Sequence, residues 1–159
     1  MFKIISMMIF CMMVSNASII HFEEDKYIDV LGNSIHKKGT LEFAQDTIKL
    51  QYKNSNRVLI YKDDNLQIQI DNEIQNINLN NQIALKMLFL LMQAIHTDDM
   101  EMIKEYFFIK KENDVTLLTP KENIRNYILS VEFKKNTQLE FIKVSMRNKN
   151  IITIRELDE

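Results

Sequence analysis

From residue 40 to residue 70 the chain reads TLEFAQDTIKLQYKNSNRVLIYKDDNLQIQI. Apolar and polar residues alternate there with a period of two, which is typical of strands that bury one face. The apolar members of the first two strands are Leu41, Phe43, Ile48, Leu50 and Tyr52. Segments rich in Asn and Asp, at 54–56 and 63–65, separate consecutive strands as turns. Because these connections are short, the stretch predicts an antiparallel meander.

The period changes after a ragged strand that ends near Leu79. From Gln82 to Ile95 apolar residues cover nearly the whole circumference of a predicted helix. This helix is too short to span a bilayer and too apolar to lie free in water, so it must cover something or be covered. Asp98 and Glu101 have the spacing of a capping box and predict a second helix. Its apolar stripe consists of Met100, Ile103, Tyr106 and Phe107.

Strand patterns return in the last third of the chain. A strand is predicted from Val115 to Thr119, just before Pro120, which cannot donate to an interior ladder. The next strand alternates through Tyr127, Leu129, Val131 and Phe133. A closing hairpin is predicted from 139–146 and 150–154, with its turn at 147–150. The order of strands, helices and strands indicates an α+β fold.

The first seventeen residues have the pattern of a signal peptide. Lys3 precedes an apolar run from Ile4 to Val14, and small residues follow at 15–17. The alternative is a membrane anchor, but the run is shorter than the roughly 20 residues that a span needs. We therefore expect export, cleavage after Ala17 or Ser18, and one domain over 18–159. Cleavage would remove Cys11, the only cysteine, and with it disulfides and thiol nucleophiles.

Few residues have the spacing that catalysis requires. The formal net charge of −2 and the mixing of acidic and basic residues argue against nucleic acid as a partner. His21, His36 and His96 are far apart, so we expect no metal site and no cofactor. With only two glycines the chain has neither a nucleophile elbow nor a phosphate-binding loop. We therefore expect a binding protein, not an enzyme.

Four segments carry a family resemblance. They are HFEEDKYIDVL at 21–31, GTLEF at 39–43, AIHTDD at 94–99, and LLTPK at 117–121. Together they resemble motifs of the LolA family of periplasmic outer-membrane lipoprotein carriers, especially its LolA-related branch. The family's Arg-rich second strand corresponds here to Thr47–Lys53, so the functional arginine of that strand does not transfer. This departure favours a relative that handles another lipid.

The resemblance implies an incomplete, unclosed antiparallel β-barrel whose concave face is covered by helices. It also implies a periplasmic carrier or accessory protein that shields lipid or lipoprotein acyl chains during transport toward the outer membrane. Its partners would be inner- and outer-membrane export components, and we expect a monomer. In that arrangement the inward faces of the alternating strands and of the helix line the cavity, and the candidate lipid-binding positions chosen on this facing are Leu41, Phe43, Leu50, Tyr52, Leu88 and Met92.

Two other functions stay open at this point. A ligand-free, β-rich interaction module of an envelope complex would have the same strands. It differs from a carrier in having its interior filled by its own side chains, whereas a carrier needs a hollow of about 300 Å³ or more. An envelope hydrolase would require a convergent trio of titratable groups in a cleft.

Overall fold

The structure is a computed structural model that describes residues 17–158. The expected signal peptide therefore lies outside the described residues, except for Ala17. Among the residues described, no helix has both the length and the apolar character needed to cross a membrane.

Eleven strands and three helices make up the described chain. The strands before the helices are β1 Ser18–Ile28, β2 Asn33–Ala44, β3 Thr47–Tyr52, β4 Arg57–Lys62, β5 Asn65–Ile70 and β6 Glu73–Asn78. The helices are α1 Ile83–Thr97, α2 Met100–Tyr106 and α3 Glu122–Arg125. The later strands are β7 Phe107–Glu112, β8 Val115–Pro120, β9 Ile128–Lys135, β10 Leu139–Met146 and β11 Ile151–Leu157. Short 3-10 turns cover Asp29–Leu31 and Leu79–Asn81.

All eleven strands form one antiparallel sheet in the order β6-β5-β4-β3-β2-β1-β11-β10-β9-β8-β7. The first and last strands meet in its middle, where His21 lies opposite Leu157. The edge strands β6 and β7 do not pair with each other, so the sheet stays open. The predicted α+β fold, with an unclosed antiparallel sheet and helices on one face, is confirmed.

The turns use residues that tolerate left-handed backbone. Eight non-glycine residues of the described chain have positive φ, and six of them are Asn or Asp: Asn54, Asp63, Asp64, Asp71, Asp98 and Asn113. Their short polar side chains lower the cost of this conformation. With only two glycines in the chain, asparagine and aspartate make most of the tight turns, as the composition predicts.

The predicted second helix has a different start and end. Asp98 does not cap it, because its left-handed backbone (φ 57°) terminates α1 and its N–H donates to the Ala94 carbonyl. Asp99 is the N-cap of α2, and its side chain accepts a hydrogen bond from the N–H of Met102. Phe107 is extended, not helical, and pairs with Pro120 as the first residue of β7.

The face predicted for the start of β9 is also wrong. Tyr127 and Leu129 are exposed, whereas Ile128 and Val131 are fully buried. A register irregularity lies where Ser145 opposes Ser130 and Met146 opposes Ile128. Such a bulge adds a residue to one strand and shifts which side chains face the core. The period of two therefore holds only beyond it, at Val131 and Phe133.

Candidate functional site

A hollow of about 200 Å³ lies between the C-terminal end of α1 and the sheet. Its apolar wall consists of Ile20, Leu41, Phe43, Met92, Ile95 and Leu139. Its polar rim consists of Ser18, His96, Lys135, Thr137, Gln138 and Glu156. Strands β1, β2 and β11 and the β9–β10 turn thus meet one helix around a small apolar space.

The C-terminal end of α1 is held over this hollow by Lys135, from β9. Its Nζ donates to the main-chain carbonyls of Ile95 at 2.7 Å and His96 at 3.2 Å, and to Asp98 Oδ1 at 2.8 Å. The last carbonyls of a helix lack partners within the helix and carry partial negative charge. A lysine at this position therefore satisfies them and fixes the end of α1 on the sheet.

His96 forms the second contact at this end. Its ring stacks on Phe43 with centroids 3.9 Å apart and planes 8° from parallel. Burial, followed by the nearby positive charge of Lys135, lowers the pKa of His96 below its ordinary value of 6.5. The imidazole at the rim is thus biased toward its neutral form.

The N-terminal half of α1 is held by Asp64, in the β4–β5 turn. Lys86 Nζ donates to Asp64 Oδ2 at 2.7 Å, and the Tyr61 hydroxyl donates to Asp64 Oδ1 at 3.3 Å. Tyr61 also stacks on Phe89 of α1, with centroids 4.9 Å apart. Burial, and then the charge of Asp64, raise the pKa of Tyr61. Polar contacts therefore tie α1 to the sheet on both sides of its apolar middle.

The structure places three of the six candidate positions, Leu41, Phe43 and Met92, on the wall of the hollow. Leu50 lies opposite Leu41 in the ladder but is buried in the core, outside this wall. Leu88 is half-buried and packs against the core, also outside the wall. The hollow therefore collects residues near the end of β2 and the last turns of α1.

Tyr52 lies elsewhere, on an open depression of about 1010 Å³ beside β1, β2 and the β3–β4 turn. Its hydroxyl donates to Glu24 Oε2 at 2.6 Å, which gives this buried carboxylate a partner. Burial, and then Glu24, raise the pKa of Tyr52. Phe22 contacts the Tyr52 ring edge-on, with centroids 5.9 Å apart. Tyr52 thus supports the core around Glu24 and is not part of the hollow under α1.

The sequence analysis did not identify Ile20, His96, Lys135 or Glu156 as parts of the site. Ile20 lies on the same face of β1 as the buried Phe22 and Glu24. A period of two in β1 could therefore have identified it. Lys135 reaches the rim by binding the Ile95 carbonyl, 40 residues earlier in the chain, and Glu156 reaches it through the pairing of β1 with β11. No short-range pattern indicates such contacts.

The histidines do not converge on a metal site. His36 contacts Asp25, which also accepts from Arg155 at 2.8 Å, while His96 stacks on Phe43. Over residues 17–158, no group of three or more His, Cys, Asp or Glu side chains is arranged to hold a metal ion.

Comparison with models of protein families gives no match for this chain, and comparison with curated proteins gives no significant match.

Proposed function

We propose that this protein binds the acyl chains of a lipid or lipoprotein between α1 and the sheet, and shields them in the periplasm on the way to the outer membrane. The observation that carries this proposal is the apolar hollow beneath the end of α1, with Leu41, Phe43 and Met92 on its wall. The resemblance to the LolA family supports the same function. Binding of this kind requires no catalytic group and no cofactor.

The hollow is smaller than the roughly 300 Å³ that separates a carrier from a ligand-free module, so the proposal requires α1 to move when cargo binds. Its volume of about 200 Å³ is below the range of about 300–1,000 Å³ that ligand pockets usually have. An acyl chain must therefore displace part of α1, beginning with Met92 and Ile95 at the wall.

The free energy lost by exposing side chains of α1 and the free energy gained by burying an acyl chain are of similar size. Exposing two buried side chains such as Met92 and Ile95 costs roughly 3–6 kcal/mol, whereas burying about ten methylenes contributes roughly 8 kcal/mol. Lys135, which binds the carbonyls at this end of α1, adds about 1–3 kcal/mol to the cost. The free energy gained by burying a chain of ordinary length is therefore comparable to that of the contacts it would replace at the last turns of α1.

The proposal is tested by filling the hollow. Ile20 lies on its wall, and the neighbouring Ile19 is 57% exposed and points to the opposite face of β1. We expect Ile20→Trp to weaken uptake of a fluorescent fatty acid at least tenfold, and Ile19→Trp to leave uptake unchanged. Circular dichroism checks that both variants fold. Normal uptake by a folded Ile20→Trp variant would show that the hollow is not the binding site.

Extraction of the purified protein with organic solvent, followed by mass spectrometry, identifies the cargo class. Acylated lipids or lipoprotein fragments are expected in the wild-type extract and are expected to be depleted in that of Ile20→Trp. The Ile19→Trp variant serves again as the matched control.

One observation favours a second function, that of a ligand-free interaction module. The core of the described residues contains 24 buried apolar side chains, six of them from α1, and the hollow under the end of this helix is small. Such packing also suits a scaffold that never opens. If no acyl chain co-purifies and wild-type protein takes up no fatty acid, this second function is the better account.

A further inference from the structure

The β1–β2 hairpin projects as a two-stranded ribbon past the half of the sheet that contains β3 to β6. The last residue of β3, Tyr52, pairs with Gly39, so residues 33–38 of β2 have no strand on that side. All six of these residues are exposed. On its other side the ribbon is supported, because Tyr27 of β1 pairs with Ile151 of β11.

The tip of this ribbon is apolar although it is open to solvent. Val30 is 90% exposed and Leu31 is 67% exposed, and Ile35 is exposed beside them. The 3-10 turn that carries Val30 and Leu31 contains no buried residue. These side chains therefore contribute little to the packing of the fold, and water contacts most of their apolar surface.

Two other connections adjoin the tip. The N–H of Asp29 donates to Asn150 Oδ1 at 3.0 Å, which joins the tip to the β10–β11 turn. The N–H of Arg147 donates to the Tyr127 carbonyl at 2.9 Å, which joins that turn to the start of β9. Exposed large apolar side chains of the described residues concentrate at this end: six of the eight are Val30, Leu31, Ile35, Phe108, Tyr127 and Leu129.

The ribbon tip and the segments beside it carry a net positive charge, although the net charge of the whole chain is negative. Segments 26–35, 121–129 and 146–151 hold five basic and two acidic residues. The basic ones are Lys26, Lys121, Arg125, Arg147 and Lys149. Among the described residues, none of these five forms a salt bridge, whereas Lys86, Lys135 and Arg155 at other places each do.

We infer that this end of the molecule docks on a lipid bilayer that contains anionic phospholipid. Exposed aliphatic side chains flanked by cations that have no acidic partner have the composition of an interfacial membrane contact. Val30 and Leu31 enter the acyl boundary, while Lys26, Arg147 and Lys149 contact lipid phosphates. A protein groove would accept the apolar tip, but it gives no reason for the surrounding cations that lack acidic partners.

This inference is independent of the proposed acyl-chain site. The hollow lies at the C-terminal end of β2, at Phe43, whereas the ribbon contains the N-terminal half of that strand. Docking and cargo binding therefore use opposite ends of the sheet, and each can fail without the other.

The test uses tryptophan as a local probe, because the chain has none of its own. In Val30→Trp we expect a blue shift of the fluorescence when vesicles of phosphatidylglycerol and phosphatidylethanolamine are added. Vesicles of phosphatidylcholine alone should give a much smaller shift. The matched control is Ile74→Trp, at a residue that is 61% exposed on the edge strand β6. Its emission maximum should stay at the same wavelength when vesicles are added.

Charge is tested in the same Val30→Trp background. We expect Lys26→Gln with Lys149→Gln to raise the lipid concentration at half-maximal shift at least fivefold, and added salt to do the same. Lys62→Gln with Lys111→Gln, at two exposed lysines of β4 and β7, should leave it unchanged. Absence of a blue shift with anionic vesicles, or equal shifts with both kinds of vesicle, would overturn the inference.

Discussion

The imidazole of His96 lies flat on the ring of Phe43, with centroids 3.9 Å apart, and this contact joins the last turn of α1 to the end of β2. Three charged groups face the imidazole: Lys135 lowers its pKa, and Glu156 and Asp98 raise it. Burial is the largest cause of the shift, and together with Lys135 it leaves the pKa below 6.5. The stacked ring is therefore a neutral part of the contact between α1 and the sheet.

A pH dependence of stability follows from His96. The unfolded chain binds a proton near pH 6.5, whereas the folded protein binds it only at lower pH. The contribution of the neutral ring to the free energy of unfolding is therefore complete above pH 6.5. It is lost as the pH falls through 6.5 toward the pKa of the folded protein. Urea unfolding at about pH 7.5 and about pH 5.5 should show this loss in wild type.

His96→Gln should remove this part of the pH dependence, and His21→Gln, at an exposed residue of β1, should retain it. A wild-type protein whose stability rises between about pH 7.5 and about pH 5.5 would contradict the assignment. NMR titration of the His96 ring measures the folded pKa directly.

We expect Lys135 to stabilise the protein more than the adjacent Lys134 does. Lys135→Met removes the donor to two helix carbonyls and to Asp98, and we expect the free energy of unfolding to fall by about 1–3 kcal/mol. Lys134 contacts Glu140 at 3.0 Å on the surface, and Lys134→Met should have a much smaller effect. Chemical denaturation of both variants measures the difference. Equal losses would show that Lys135 has no special role at the helix end.

Strands were easier to predict than contacts between them. The alternation of Ile48, Leu50 and Tyr52 is a local property, and it identified β3 within one residue of its actual start. The pairing of β1 with β11 joins residues more than a hundred positions apart, and the contact of Lys135 with α1 joins residues 40 positions apart; no periodicity indicates either. For this reason the apolar wall of the hollow was partly predicted, whereas its rim residues Lys135 and Glu156 were not.

The errors came from single residues that change the direction of the chain. Asp98 and Asp99 are both good caps, and the sequence does not reveal which one ends α1 and which one begins α2. The left-handed backbone of Asp98 decides this in the structure. At β9 the bulge next to Met146 reverses the faces of Tyr127 and Leu129. The position of a bulge depends on how the strand pairs with its neighbour, so the sequence of β9 alone does not reveal it.

The cap assignment is directly testable. Asp99→Ala removes the acceptor for the N–H of Met102 and should lower the free energy of unfolding by about 0.5–2 kcal/mol. Asp98→Gly relieves a left-handed non-glycine residue but loses the contact with Lys135, so we expect a net change below about 1 kcal/mol. Thermal or urea unfolding measures both. A larger loss in Asp98→Gly than in Asp99→Ala would reverse the assignment.

Gly39 marks the point where β2 leaves β3, and it has no room for a side chain. A Cβ at this position would collide with the main-chain oxygen of Gln51 and lie 2.9 and 3.0 Å from two ring carbons of Phe22. Phe22 is fully buried, so neither neighbour moves without disturbing the core. We expect Gly39→Ala to lower the free energy of unfolding by about 2–3 kcal/mol.

Gly32 provides the matched control. It has a left-handed backbone (φ 57°), but a Cβ there would meet no atom within 4 Å. Gly32→Ala should therefore cost only about 1 kcal/mol, from backbone strain alone. Urea denaturation of both variants separates crowding from strain. If Gly32→Ala is the more destabilising of the two, then backbone conformation at the ribbon tip, and not close packing of Gly39 against Gln51 and Phe22, limits substitution in the β1–β2 hairpin.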